Sequence, residues 1–142
     1  MAIRIFQTIE IQAPADDVWR FAGRPELIAE FHPEIVDAFV EGNLRVSTLV
    51  DGSRVVEKIV DRSVVHRFYT YELAGGAPAI QTLRGCLGVR GHGDHSHVDW
   101  DVQFEPALPD DEARELACRL DRALGEALAH LRAHLEAAAA AA

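Results

Sequence analysis

A leucine and alanine repeat near the carboxyl end of this chain constrains its fold more than any other sequence feature. Between residues 109 and 136, leucines recur at three- and four-residue steps, which places them on one stripe of a helix. The leucines of the stripe are Leu116, Leu120, Leu124, Leu131 and Leu135. Pro109 and the acids that follow it are typical of a helix start. The pattern predicts one helix of roughly 40 Å whose apolar stripe must lie against another layer.

The residues before this helix show mostly the two-residue alternation that is typical of β-strands. A first strand is predicted around residues 3–11, and two short helices follow over 18–22 and 25–31. Further strands are predicted at 34–41, 44–50, 53–62, 65–73, 79–90 and 96–105. The pair Asp51-Gly52, which lies between two alternating runs, is the clearest hairpin signal.

The elements predict an α+β protein in which a curved antiparallel sheet of about seven strands packs on the long helix. With 142 residues, the chain has the length of one domain, which we place at residues 1–136. The alanine-rich residues 137–142 are interpreted as a fraying helix end.

Charge and hydropathy exclude several classes of partner. A net charge of −9 disfavours nucleic acids and anionic membrane surfaces, because both require a basic patch. No run approaches the ~20 apolar residues of a membrane span, and the first residues lack the apolar core of a signal peptide. We therefore expect a cytoplasmic protein without membrane insertion, with Cys86 and Cys118 as free thiols. Exposed edge strands would allow a homodimer.

Four segments point to a known family. Residues 9–35, IEIQAPADDVWRFAGRPELIAEFHPEI, contain an apolar strand, an Ala-Pro step, a Val-Trp helix and an aromatic-His-Pro turn. They are followed by VVEKIVDRS, YTYEL and HVDWDVQFEP, in that order. The chain thereby resembles the helix-grip SRPBCC superfamily, which includes START-like domains, the birch-pollen allergen group and polyketide cyclase/dehydrase-like proteins. The resemblance implies a cavity for a hydrophobic guest between sheet and helix, although a fold alone does not establish an activity.

Strand alternation predicts which side chains point toward that interior. They are Val55, Glu57, Ile59, Val65, Tyr69, Tyr71, Leu73, Leu83, Gly85, Leu87, Val89, Val98, Trp100, Val102 and Phe104. Apolar and aromatic walls with sparse polar groups are typical of ligand sites. The residues by themselves equally allow a solid core, and the resemblance favours the cavity.

Glu57 is the most informative single position. A carboxylate inside the fold is costly, so it should pair, gain a proton or meet water in a pocket. Tyr69, Tyr71 and Arg67 are its predicted partners, and the alternative is a bulge that turns Glu57 outward. As a ligand anchor, Glu57 is expected to tolerate Glu57→Gln with a similar melting temperature and a changed ligand affinity.

His32 is predicted to lie at the mouth of the cavity, where it could bond a ligand or transfer a proton near neutral pH. The alternative is a structural role in which the ring caps a helix end or bonds a backbone carbonyl.

Other histidines suggest a metal only superficially. His92, His95 and His97 crowd one hairpin with two aspartates, and His130 and His134 are four residues apart on the helix. The chain lacks an HExxH motif, and the hairpin histidines are predicted to face solvent. We therefore expect neither a metal nor another cofactor.

The sequence predicts that the protein binds a small hydrophobic ligand, such as a lipid, a polyketide or an aromatic metabolite. The predicted ligand-binding residues are Phe31, His32, Glu57, Tyr69, Tyr71, Leu83, Gly85, Trp100, Leu120 and Leu124. One alternative is a polyketide cyclase or dehydratase that uses Glu57 and His32 as catalytic acid–base groups. Another is a protein-interaction module with a vestigial cavity.

Overall fold

The computed structural model describes residues 2–141. Strand β1 (Ile3–Ile11) is followed by helix α1 (Ala15–Ala22) and by a 3₁₀-helix (Pro25–Glu30). Six strands and a long helix complete the chain: β2 (Ile35–Glu41), β3 (Leu44–Leu49), β4 (Arg54–Ser63), β5 (Phe68–Gly75), β6 (Ile80–His92), β7 (His95–Pro106) and α2 (Asp110–Ala141). The predicted order of elements is confirmed.

The strands form one antiparallel sheet in the order β1-β7-β6-β5-β4-β3-β2. Neighbours in the sheet are also neighbours in sequence, except that β1 pairs with β7. The segment with α1 and the 3₁₀-helix therefore carries the chain from one edge of the sheet to the other. This arrangement, with α2 packed on the sheet, is the predicted helix-grip fold.

The apolar face of helix α2 is buried to different extents along its length. Its second half packs into the core through Leu128 and Leu131, which are almost completely buried. Leu116 and Leu120 in its first half remain only partly buried. Leu128 was absent from the predicted stripe, although it lies four residues after Leu124 and is only 1% exposed. The helix lies across β1 and β7, so the concave face of the more distant strands is open toward its first half.

The predicted inward orientation of Val65 is wrong. Val65 is 82% exposed because residues 64–67 form a turn and β5 begins only at Phe68. The Ser63 hydroxyl accepts a hydrogen bond from the backbone N–H of His66, and Arg67 adopts a positive φ of 54°. This local bonding ends the strand pattern that the valines had suggested.

The alanine-rich end continues α2 as far as Ala141, and Ala142 lies outside the described residues. Cys86 and Cys118 are free thiols. None of the helices within residues 2–141 has both the length and the hydropathy needed to cross a bilayer.

Leu128→Ala tests the packing of α2 on the sheet. We expect the free energy of unfolding to fall by about 2–5 kcal/mol, because the substitution leaves a cavity in a closed part of the core. Leu44→Ala, at a residue that is 38% exposed, should change it by about 0.5 kcal/mol or less. Urea unfolding measures both, and equal losses would contradict the assigned packing.

Candidate functional site

Two adjoining hollows separate the first half of α2 from the concave face of the sheet. The inner hollow has a volume of about 110 Å³ and the outer hollow one of about 310 Å³. Five residues line both of them: His32, Ile35, Glu57, Leu83 and Leu120. The two hollows therefore form one site, whose shared wall includes Glu57 from the sheet and Leu120 from the helix.

Seven of the ten residues proposed from sequence line this site. They are His32, Glu57, Tyr71, Leu83, Trp100, Leu120 and Leu124. Their position in the wall is a geometric fact, and their contact with a ligand stays a prediction.

The other three lie behind the wall. Phe31 is buried against the rings of Phe21 and Trp100, with centroids 6.2 Å and 6.4 Å away. Gly85 is covered by Tyr71, since a Cβ at this glycine would lie 2.2 Å from the Tyr71 Cζ. Phe31 and Gly85 are therefore separated from the hollows by the side chains that cover them.

Tyr69 is covered by an arginine that sequence reasoning missed. Arg45, on β3, is fully buried, and its Nη1 donates to the Tyr69 hydroxyl at 3.0 Å and to the Pro25 carbonyl at 3.0 Å. Its Nε and Nη2 donate to Glu57 Oε1 at 3.1 Å and 2.9 Å. Arg45 is therefore the partner of Glu57. The predicted partner Arg67 instead bonds Asp16.

Glu57 faces inward as predicted, and its charge is matched inside the fold. Burial opposes the charge on Arg45, but the surrounding Tyr69, Glu57 and Tyr71 raise the pKa of the guanidinium above its ordinary value. The guanidinium also lies over the Tyr71 ring, 4.9 Å from its centroid. The site thus contains a fixed cation behind the carboxylate that faces the hollows.

The register between β3 and β4 explains why Arg45 was missed. A two-residue loop at Asp51-Gly52 would place Arg45 opposite Lys58, but the observed register places it opposite Glu57. The loop has a third residue, because Leu49 bonds across to Ser53 and Gly52 adopts a positive φ of 86°. A shift by one residue turns every β3 side chain to the other face.

His32 lines both hollows as a neutral ring. Its Nδ1 accepts a hydrogen bond from the backbone N–H of Glu34 at 3.1 Å, and the ring meets Trp100 edge-on. Burial lowers the pKa of His32 from 6.5 to about 4, with Glu34 raising it and Arg45 lowering it further. His32 therefore has a structural hydrogen bond, although to a backbone N–H and not to the expected carbonyl. The ring's other nitrogen, Nε2, carries its proton.

Tyr71 and Trp100 form the floor of the inner hollow. The indole Nε1 of Trp100 donates to the Tyr71 hydroxyl at 2.9 Å. Burial and the nearby Glu57 raise the pKa of Tyr71, so the phenol keeps its proton. The Tyr71 hydroxyl is consequently a donor that is held in place by Trp100.

The outer hollow contains more polar groups. Arg119 on α2 reaches across the opening and bonds Glu34, with its Nε 2.8 Å from Oε1. Ser47 lies on the β3 wall, is 1% exposed, and its hydroxyl has no hydrogen-bond partner among the residues that the structure describes. The remaining wall is mostly aliphatic.

The other histidines do not assemble a metal centre. Within residues 2–141, no group of three or more His, Cys, Asp or Glu side chains is placed to hold a metal ion. The rings of His92, His95 and His97 pack on one another at the β6–β7 hairpin. His130 meets the Phe31 carbonyl, and His134 packs on the Phe21 ring.

Comparison with known families identifies the chain. Residues 2–136 match the model of the family described as "Polyketide cyclase / dehydrase and lipid transport". The chain belongs to this family. The match extends over the whole helix-grip fold, so the resemblance found in the sequence is confirmed. None of the curated proteins matches the sequence significantly.

Solved structures share the fold at low sequence identity. The protein XoxI from Bacillus cereus has a TM-score of 0.83 at 20% identity, over 93% of this chain and 94% of that one. The Zhui aromatase/cyclase from a Streptomyces species has 0.81 at 20%, over 96% and 94%. A START superfamily protein from Mycobacterium smegmatis has 0.76 at 15%, over 93% and 98%. At these identities, the likeness shows the fold and not the activity.

The buried ion pair is tested by a double-mutant cycle. Glu57→Leu alone should lower the free energy of unfolding by about 3 kcal/mol, because it leaves the buried Arg45 cation unpaired. Glu57→Gln should also lower the melting temperature, in contrast to the expectation drawn from the sequence. The double variant Arg45→Met/Glu57→Leu should recover most of the loss. Additive losses in urea unfolding would contradict the pairing.

The neutral state of His32 predicts a pH dependence of stability. Below pH 6.5 the unfolded chain binds a proton at His32 that the folded protein takes up only near pH 4, so stability falls as the pH is lowered between these values. The loss should be about 3–4 kcal/mol and should level off below that range.

His32→Asn, which keeps an acceptor for the Glu34 N–H, should flatten this part of the profile in urea unfolding. His66→Asn, in an exposed turn, is the matched control and should leave it unchanged. A His32→Asn profile identical to that of the unsubstituted protein would refute the assignment.

Proposed function

We propose that this protein binds a small hydrophobic molecule in the two adjoining hollows. The observation that carries the proposal is an apolar-walled outer hollow of about 310 Å³ that leads to an inner one with a few fixed polar groups. Ligand sites of ~300 Å³ or more, with apolar walls and sparse polar groups, are typical of small-molecule binding. The family description, which names polyketides and lipids, agrees with this class of ligand.

The walls supply a driving force for binding. Leu73, Leu83, Leu116 and Leu120 are only partly buried although they face the interior. A guest that covered ~100 Å² of such surface would contribute about 2.5 kcal/mol. The limited volume favours a molecule of one or two rings, or a short acyl chain, over a membrane phospholipid.

We place binding ahead of the cyclase or dehydratase alternative because the acid–base groups are already committed. Glu57 is paired with Arg45, and His32 is neutral with its Nδ1 bonded to the Glu34 N–H. A general acid or base works best with a pKa near the operating pH, whereas the pKa of His32 is about 4 and that of Tyr71 is raised above its ordinary value. These groups are better suited to orienting a guest than to exchanging protons with it.

The proposal is tested with the neutral two-ring dye 6-propionyl-2-(dimethylamino)naphthalene, whose fluorescence rises and shifts to the blue in apolar surroundings. We expect saturable binding, and we expect Leu120→Trp to weaken it at least about tenfold by filling the boundary between the hollows. Arg122→Trp, on the exposed side of the same helix, is the matched control and should bind as the unsubstituted protein does. Absence of binding, or equal binding by both variants, would refute the proposal.

A further inference from the structure

We propose that the guest is a neutral hydroxylated ring compound, which is held at two points by Glu57 Oε2 and the Ser47 hydroxyl. This inference rests on the proposed function and narrows its ligand class. It depends on the hydrogen-bonding capacity that the folded chain leaves unused inside an otherwise apolar site.

Glu57 has one such free acceptor. Both hydrogen bonds from Arg45 go to Oε1, and Oε2 receives none from any group within residues 2–141. The side chain is 13% exposed and lines both hollows. A carboxylate oxygen accepts strongly from a hydroxyl, since charge-assisted hydrogen bonds are roughly twice as strong as neutral ones.

Ser47 provides the second point. A buried hydroxyl without a partner destabilises the fold, so most buried hydroxyls in proteins are bonded. The Ser47 hydroxyl is buried, unbonded within the described chain, and part of the wall of the outer hollow. A ligand hydroxyl that reached it would restore the missing bond.

The sheet register fixes the backbone spacing of the two residues that carry these groups. Arg45 pairs with Glu57 and Ser47 pairs with Val55, so Ser47 and Glu57 are diagonal neighbours on the concave face. Diagonal residues on adjacent antiparallel strands lie about 7–8 Å apart. A flat two-ring molecule with one hydroxyl on each ring spans a distance of this order.

The charges of the site favour a neutral guest. Of the lining residues that the structure describes, the cations are Arg45, which donates four hydrogen bonds to protein groups, and Arg119, which is bonded twice to Glu34. A carboxylate guest would meet Glu57, Glu34 and Asp51 without an available cation. An ammonium guest would lose its hydration in the apolar hollow, and Glu57 and Glu34, which would otherwise balance its charge, are already paired with Arg45 and Arg119. A hydroxyl avoids both costs.

The test compares the affinities of five matched probes: naphthalene, naphthol, a dihydroxynaphthalene with one hydroxyl on each ring, naphthoate and naphthylmethylamine. We expect naphthol to bind about tenfold more tightly than naphthalene, and the dihydroxy compound about threefold to tenfold more tightly again. Naphthoate and naphthylmethylamine should bind more weakly than naphthol.

Ser47→Ala is the decisive variant because it removes an unbonded hydroxyl and should therefore fold with an unchanged or raised melting temperature. It should abolish the gain from the second hydroxyl and leave the affinity for naphthol unchanged. Thr48→Ala, at the next residue on the opposite face of β3, is the matched control and should keep the full gain.

Two results would overturn the inference: tightest binding of naphthoate or naphthylmethylamine, or a second-hydroxyl gain that persists in Ser47→Ala. If naphthalene and the dye still bind and Leu120→Trp blocks them, the proposed function stands and only the ligand class is wrong. If no probe binds, both proposals fail.

Discussion

The cation of Arg45 is buried in the wall of the site, and most of the site's chemistry depends on how that charge is balanced. Glu57 supplies the opposite charge, while Tyr69 and the Pro25 carbonyl take the remaining hydrogen bonds. Burying an ion pair rarely stabilises a protein relative to apolar packing. Its presence here is therefore better explained by what it does for the site: it holds a carboxylate against an apolar hollow, with one oxygen occupied and the other free.

The hollow itself results from the unequal use of the long helix. The second half of α2 is packed by Leu128 and Leu131 against the sheet, whereas its first half faces strands that curve away from it. Leu116 and Leu120 consequently line open space instead of filling a core. One regular helix thus packs into the core at one end and lines the hollow at the other.

Polar groups in this wall lower the stability of the fold, but they also leave hydrogen-bonding atoms available to the proposed guest. Ser47 and Glu57 are both polar groups with unused bonding capacity in apolar surroundings, which is a cost that an optimised core would avoid. Both groups face the hollow, where the guest that we propose would supply the missing hydrogen bonds, and the volume of the hollow supports a small molecule in that place. His32 and Tyr71 also line this hollow. Burial fixes their protonation states, and hydrogen bonds to neighbouring groups fix their positions.

The sequence by itself determined the order of elements, the long helix, the family and the inward orientation of Glu57, Trp100 and Leu120, because these follow from local periodicity and from motifs within single segments. It did not determine the partner of Glu57. That depended on one additional residue in the β3–β4 loop, which set the register and turned Arg45 and Ser47 inward. Likewise, only the tertiary structure decided that Tyr71 covers Gly85 and that a hollow remains beneath α2. Such features arise from how side chains of distant segments fill the space between sheet and helix. The volume that they leave unfilled cannot be predicted from a local sequence pattern.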